Sequence, residues 1–347
     1  MTENMVDRIR GCLLGLAAGD AMGMVGLSSY QRTVEIYGAE LTTFITPVVD
    51  PAIDPVHYLL PKGTVTDDTF GALAIVDAIV ERGEISLDTF VESNINWVTY
   101  ADALSYELGR HRGLAGPSTS AAIAKLRNGV SPYETGKHGV TNGSAARVPP
   151  VGFLFPGDLE ATVEAAELSC IPTHNTNVAI SATAAVACAV SVIAAGESDI
   201  EAIIEAAKQG AEMGKARGHI VYSPSVTKRI DLAVQLASSG KDRRQASQDI
   251  YDLIGSDLAA YEVVPASFGA FALGKGDPVE TILTAINICG DSDTLGAIAG
   301  ALVGALRGYK AFPAEYEETV EEANNLNLAE KAARYYDAIQ LNPPLVK

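Results

Sequence analysis

With 347 residues, 48% of them hydrophobic, the chain has material for a large core and falls outside the disordered class. Its 43 acidic against 25 basic side chains leave a formal charge of −18, which argues against a general binder of nucleic acid or of anionic membranes, since either needs a basic face. A small anionic ligand stays open, because backbone N–H groups at helix N-termini bind phosphate without lysine or arginine.

Cys12, Cys170, Cys188 and Cys289 lie far apart and form no CxxC pair, which suits free thiols in a reducing compartment. The start, Met-Thr-Glu-Asn-Met-Val-Asp-Arg, has neither the basic beginning nor the apolar centre of a signal peptide, so the expected location is the cytoplasm.

Residues 7–24 contain Gly11, Gly15, Gly19 and Gly23, each four apart, and the segment Gly11–Gly23 is helical in pattern with Asp20 near its end. Glycine costs a helix about 1 kcal/mol per position relative to alanine, so the ladder predicts a face built for close approach of another backbone. Between Leu27 and Gly63 no helical period is clear, and Pro47, Pro51, Pro55 and Pro61 mark a loop or lid excursion over 28–62. A helix then runs to Gly83, with Thr66, Asp67, Asp68 and Thr69 at its start. Residues 86–108 read as helical, and the Gly113–Ser120 turn leads into a helix over 118–126. Residues 127–157 read as loops, followed by a helix over 158–169 and a turn at Pro172-Thr-His-Asn-Thr.

The run Val178–Ala195 is the most membrane-like, yet it is rich in alanine and contains Ser181, Thr183 and Ser191, as in a helix buried on all sides of a core. Helices over 198–216, 225–239, 243–254 and 277–286 lead to Gly290-Asp-Ser-Asp-Thr. There a last core helix opens with a second ladder, Gly296, Gly300, Gly304 and Gly308, and 311–347 forms a closing helical tail. Strands do not alternate with helices, and no linker or long repeat divides the chain, so one all-α domain over 1–347 is expected.

Two acidic clusters, Thr66/Asp67/Asp68/Thr69 and Asp291/Asp293/Thr294, stand at helix starts more than 220 residues apart. Either alone fits ordinary N-capping and the helix dipole. Together they offer hard oxygen donors suited to magnesium, manganese or calcium, and four gathered carboxylates call for a cation to offset their repulsion. An EF-hand over Asp291–Leu302 fails, because Leu295 and Leu302 occupy positions that need oxygen ligands. Phosphate-loop, serine-hydrolase and HExxH motifs are absent from the sequence.

The ordered set Gly11-Cys-Leu-Leu-Gly-Leu-Ala-Ala-Gly-Asp-Ala-Met-Gly, Thr66-Asp-Asp-Thr, Asn142-Gly-Ser-Ala-Ala-Arg-Val-Pro-Pro-Val-Gly, Pro172-Thr-His, Val264-Pro-Ala and Gly290-Asp-Ser-Asp-Thr resembles the ADP-ribosylglycohydrolase family over residues 6 to 310. The resemblance implies a compact all-α fold around two Mg2+ (or Mn2+) ions held by Thr66, Asp67, Asp68, Asp291, Asp293 and Thr294. It implies hydrolysis of an N- or O-glycosidic ribosyl bond in a small-molecule or protein-linked ADP-ribosyl substrate. Asp67 and Asp293 would then be catalytic. Gly116, Ser118, Asn142, Gly143, Ser144 and His174 would contact substrate, the glycine-rich turns offering backbone N–H groups to a diphosphate.

Relatives with activity usually carry a glutamate four residues beyond the second glycine of Gly-Asp-Ala-x-Gly, where this chain has Leu27. The missing carboxylate predicts either a substitute or a changed function. The substitutes are Asp20, a water activated at the metal centre, or one of Glu35, Glu40, Asp50 and Asp54, acting on an altered or nucleoside-like substrate. The changed function is a non-catalytic member that binds ADP-ribose or a nucleotide, or serves structurally. No role is expected for His57, His111, His138 or His219, read as mostly solvated.

Overall fold

The computed structural model describes residues 2–48, 50, 52–53, 57, 60–107 and 113–341. Seventeen α-helices are described: α1 Thr2–Gly23, α2 Tyr30–Tyr37, α3 Asp67–Arg82, α4 Leu87–Glu107, α5 Pro117–Arg127, α6 Pro132–Thr135, α7 Gly143–Arg147, α8 Leu159–His174, α9 Asn177–Ala195, α10 Ile200–Gly214, α11 Val226–Ala237, α12 Arg243–Ile254, α13 Ala260–Gly274, α14 Pro278–Ile286, α15 Ser292–Arg307, α16 Ala314–Asn324 and α17 Leu328–Gln340. Among the described residues extended pairing is limited to two isolated bridges, Thr141 with Ala259 and Thr176 with His219. The all-α expectation therefore holds.

The two glycine ladders meet each other. Gly11 faces Gly304, Gly15 faces Gly300 and Gly19 faces Gly296, an order that makes α1 and α15 antiparallel. A Cβ added to Gly15 would overlap the carbonyl oxygen of Gly300, and one added to Gly300 would overlap that of Gly15. The helices touch backbone to backbone, which only residues without a side chain permit. This pair runs through one contiguous apolar core that extends from α1 to α17. Helix α9 is long and apolar enough to span a membrane, yet nearly all of its side chains are enclosed in that core, many of them alanines.

The remaining elements depart from the sequence reading in four places. Within 28–62, Ser29 caps the short helix α2 by accepting from Arg32 N–H at 3.2 Å, and Gly38 ends it in the left-handed region at φ 82°. The 127–157 stretch folds into α6, α7 and a 3-10 turn over Pro149–Phe153. Helix α8 continues through Pro172 to His174, giving up the one ladder hydrogen bond that proline cannot donate. Helix α13 was not foreseen: it is buried on nearly every side and holds Pro265 and Gly269, so no amphipathic stripe marks it. In the tail α16 and α17 form a helix pair, and α17 straps α3 through Lys331 Nζ to Asp77 at 2.6 Å.

Candidate active site

The glycine pairing continues one step further, where a Cβ on Gly23 would overlap Ser292 and Asp293, and Ser292 Oγ donates to Gly23 O at 2.8 Å. The end of α1 is thereby pressed against the start of α15. Asp20, one turn earlier on α1, is fully buried and receives Thr66 N–H at 2.9 Å, Thr66 Oγ1 at 2.8 Å, Thr69 N–H at 3.2 Å and Thr69 Oγ1 at 2.5 Å. It satisfies donors that the first turn of α3 leaves open. One helix thus holds both acidic helix starts in place.

Four carboxylates, Asp67, Asp68, Asp291 and Asp293, line one end of a cleft of about 740 Å³. Gly116 N–H donates to Asp67 Oδ2 at 3.1 Å, and the Asn142 side-chain amide donates to Asp291 Oδ2. Thr294 N–H donates to Asp293 Oδ1 at 2.9 Å, and His57 Nε2 lies 3.2 Å from Asp293 Oδ2. Asp68 Oδ2 is buried with no hydrogen-bond partner. Burial pushes the Asp67 carboxyl up to about 7, with the charge of Asp293 adding to the effect. Burial and then neighbouring charge also lift Asp68 and Asp291 well above the usual carboxylate range. Burial raises Asp20 to about 6 despite its four donors. For Asp293 burial works the same way, but the His57 hydrogen bond and charge and the Thr294 N–H outweigh it, leaving that carboxyl low.

This crowding and the orphaned Asp68 oxygen fit a divalent cation, since each is relieved by positive charge beside the carboxylates. Among the described residues no three acidic, histidine or cysteine side chains are gathered closely enough to hold a metal ion as they stand, so the carboxylates would have to draw in around one. Thr66 and Thr294 are buried at the same two helix starts, with the Thr66 hydroxyl committed to Asp20.

Of the residues expected to touch substrate, Gly116, Asn142 and Gly143 line the cleft, together with Leu27, Thr119 and Tyr251. Three expectations are corrected by position. Ser118 does not line the cleft; Pro117 and Thr119 beside it do. Ser144 is fully buried and its hydroxyl accepts from Thr183 Oγ1 at 2.8 Å. His174 is sealed behind the cleft wall, its Nδ1 2.8 Å from Thr173 Oγ1 and its Nε2 2.9 Å from Thr141 Oγ1, and burial holds it neutral.

Asp20 is corrected as a proton acceptor for the reaction, because its carboxylate is turned into α3 and away from the cleft. Other substitutes for the absent glutamate are occupied elsewhere: Glu35 pairs with Arg32, Glu40 with Arg243, and Asp50 accepts from Ala52 N–H. Asp54 and His111 lie outside the described residues. His138 and His219 are exposed as expected, whereas His57 lies in the cleft. Sequence reasoning also passed over Ser256, whose buried hydroxyl lines the cleft without a partner, and nothing in its surrounding turn marks it.

The fold and this pair of acidic helix starts define an ADP-ribosylglycohydrolase-type protein. The family model described as ADP-ribosylglycohydrolase matches residues 1–343, and the chain belongs to that family. It is 29% identical to YegU of Escherichia coli over 92% of this chain and 94% of that one. It is 25% identical to the ADP-ribosylarginine hydrolase Tri1 of Pseudomonas putida, covering 92% of this chain and 75% of the relative. Human ADP-ribosylhydrolase ARH3 is 24% identical over 91% of this chain and 90% of its own. A solved ADP-ribosylglycohydrolase-related protein complex shares the fold, with a TM-score of 0.67 at 22% identity, over 97% of this chain and 99% of that one.

Proposed function

We propose that this chain is a metal-dependent hydrolase of a ribosyl bond, acting on an ADP-ribosyl or smaller nucleoside-like substrate, free or linked to protein. The observation that carries this reading is the meeting of two distant acidic helix starts at the end of a 740 Å³ cleft, with one carboxylate oxygen buried and unpartnered. Two Mg2+ or Mn2+ ions held by Asp67, Asp68, Asp291 and Asp293, with Thr66 and Thr294, would supply charge that orients ribose hydroxyls and favours an electron-poor ribose in the transition state. Asp67 lines the cleft with its orientation fixed by Gly116 N–H, and Asp293 lines it with Thr294 and His57 as partners. We assign these two to the proton and water handling. Gly116, Thr119, Asn142 and Gly143 give the cleft wall small residues and polar groups suited to a diphosphate or a ribose.

Leu27 favours the second reading, a non-catalytic binder of ADP-ribose or a nucleotide. It lines the cleft and brings no carboxylate there. Mass-spectrometric assay with Mg2+ or Mn2+ against ADP-ribosyl-arginine, ADP-ribosyl-serine and a panel of ribonucleosides separates the two. Turnover of one of them, lost in the Asp67→Asn plus Asp293→Asn variant, is expected. No turnover of any, with ADP-ribose binding unchanged by the double substitution, would sink the hydrolase.

A further inference from the structure

His57 belongs to the proline-rich excursion and stands three residues before the buried Leu60, which donates its N–H to the His57 carbonyl at 3.1 Å. Its imidazole lines the cleft, and Nε2 stands 3.2 Å from Asp293 Oδ2, with both side chains largely withdrawn from solvent. The other carboxylates there are steered by amides: Asp67 by the Gly116 N–H and Asp291 by the Asn142 side chain. Asp68 Oδ2, buried and unpartnered at the same end of the cleft, independently points to a cation. Among the described residues, His57 is the one imidazole lining this cleft.

We propose that His57 Nε2 is a further ligand of the divalent centre, sharing a cation with Asp293. The inference rests on the metal-dependent reading above. Two donors on neighbouring corners of an octahedron with bonds of about 2.1 Å stand roughly 3 Å apart. The 3.2 Å between Nε2 and Oδ2 is close to that edge, so both atoms reach one ion once the imidazole carries its proton on Nδ1 and turns the Nε2 lone pair from Oδ2 toward the ion. When no ion is bound, the same imidazole hydrogen-bonds the carboxylate and spares it from facing its acidic neighbours alone. A nitrogen among hard oxygens moves the preference of the site from Mg2+ toward first-row transition ions, beginning with Mn2+.

Pulsed electron paramagnetic resonance on the full chain loaded with Mn2+ tests this directly. A nitrogen coupling from a bound imidazole is expected, changed in pattern by 15N-histidine labelling of the unmutated chain and lost in His57→Gln. That variant should hold Mn2+ about tenfold more weakly, with a smaller change for Mg2+ measured by competition. If Mn2+ binds through Asp67 and Asp293 without nitrogen coupling, or with coupling that survives His57→Gln, the ligand assignment is overturned while the metal centre stands. If the chain holds Mn2+ no better than the Asp67→Asn plus Asp293→Asn variant, both fall.

Discussion

Carboxylates that look alike in sequence take separate duties once their partners are counted. Asp20 spends both oxygens on four donors of α3 and so builds the site without facing it. Asp67 and Asp68 begin that same helix and are left crowded against Asp291 and Asp293. The crowding has a pH signature. With the folded Asp67 near 7 against an ordinary 3.8, the native state binds more protons than the unfolded one between those values. Stability of the cation-free protein therefore falls as pH rises from about 4 to about 7. In EDTA, the Asp67→Asn variant should show a shallower fall in Tm across that window than the unmutated chain. Parallel curves would remove Asp67 as a source of the penalty. At this scale the sequence was informative about residue type and poor about direction. Asp67, Asp293, Gly116 and Asn142 were legible from their motifs, whereas the inward turn of Asp20, Ser144 and His174 depends on partners remote in sequence.

Two helices accomplish most of the assembly. The ladders in α1 and α15 were legible because glycine every fourth residue is costly unless a neighbouring backbone needs the space. That they match each other, and run antiparallel, came only from the structure. Helix α13 was illegible for the opposite reason: a segment buried all round has no polar face to reveal its period. The contact predicts a severe response to one methyl group. Gly300→Ala places its Cβ on a backbone carbonyl that cannot rotate aside, so α1 and α15 must separate. A loss of about 3 kcal/mol is expected from overpacking alone, read by urea unfolding. Because the separation also moves Asp293 away from Asp67, Mn2+ affinity should fall with it. Gly38→Ala is the comparison, since its Cβ would meet nothing and only its left-handed φ of 82° opposes the change; it should cost about 1 kcal/mol. Equal losses at the two positions would mean that the close helix contact contributes little.

Over the whole molecule, the fold concentrates charge that it does not neutralise itself. The surface already carries most of a formal −18, and four further carboxylates are gathered at one end of the cleft. A cation that binds the folded chain and not the unfolded one adds stability as its concentration exceeds Kd, about 2.7 kcal/mol at a hundredfold excess. The increment must itself depend on pH. Below neutrality Asp67, lifted by burial to about 7, retains a proton that a cation has to displace, and burial shifts Asp68 and Asp291 in the same direction. Above it the Asp67 proton is gone and the folded protein carries more of the repulsion, which the ion relieves. The rise in Tm from EDTA to Mn2+ should therefore be larger at pH 8 than at pH 5, and should vanish in the Asp67→Asn plus Asp293→Asn variant. An increment of equal size at both pH values, or one that persists in that variant, would place the stabilising ion elsewhere on this acidic surface.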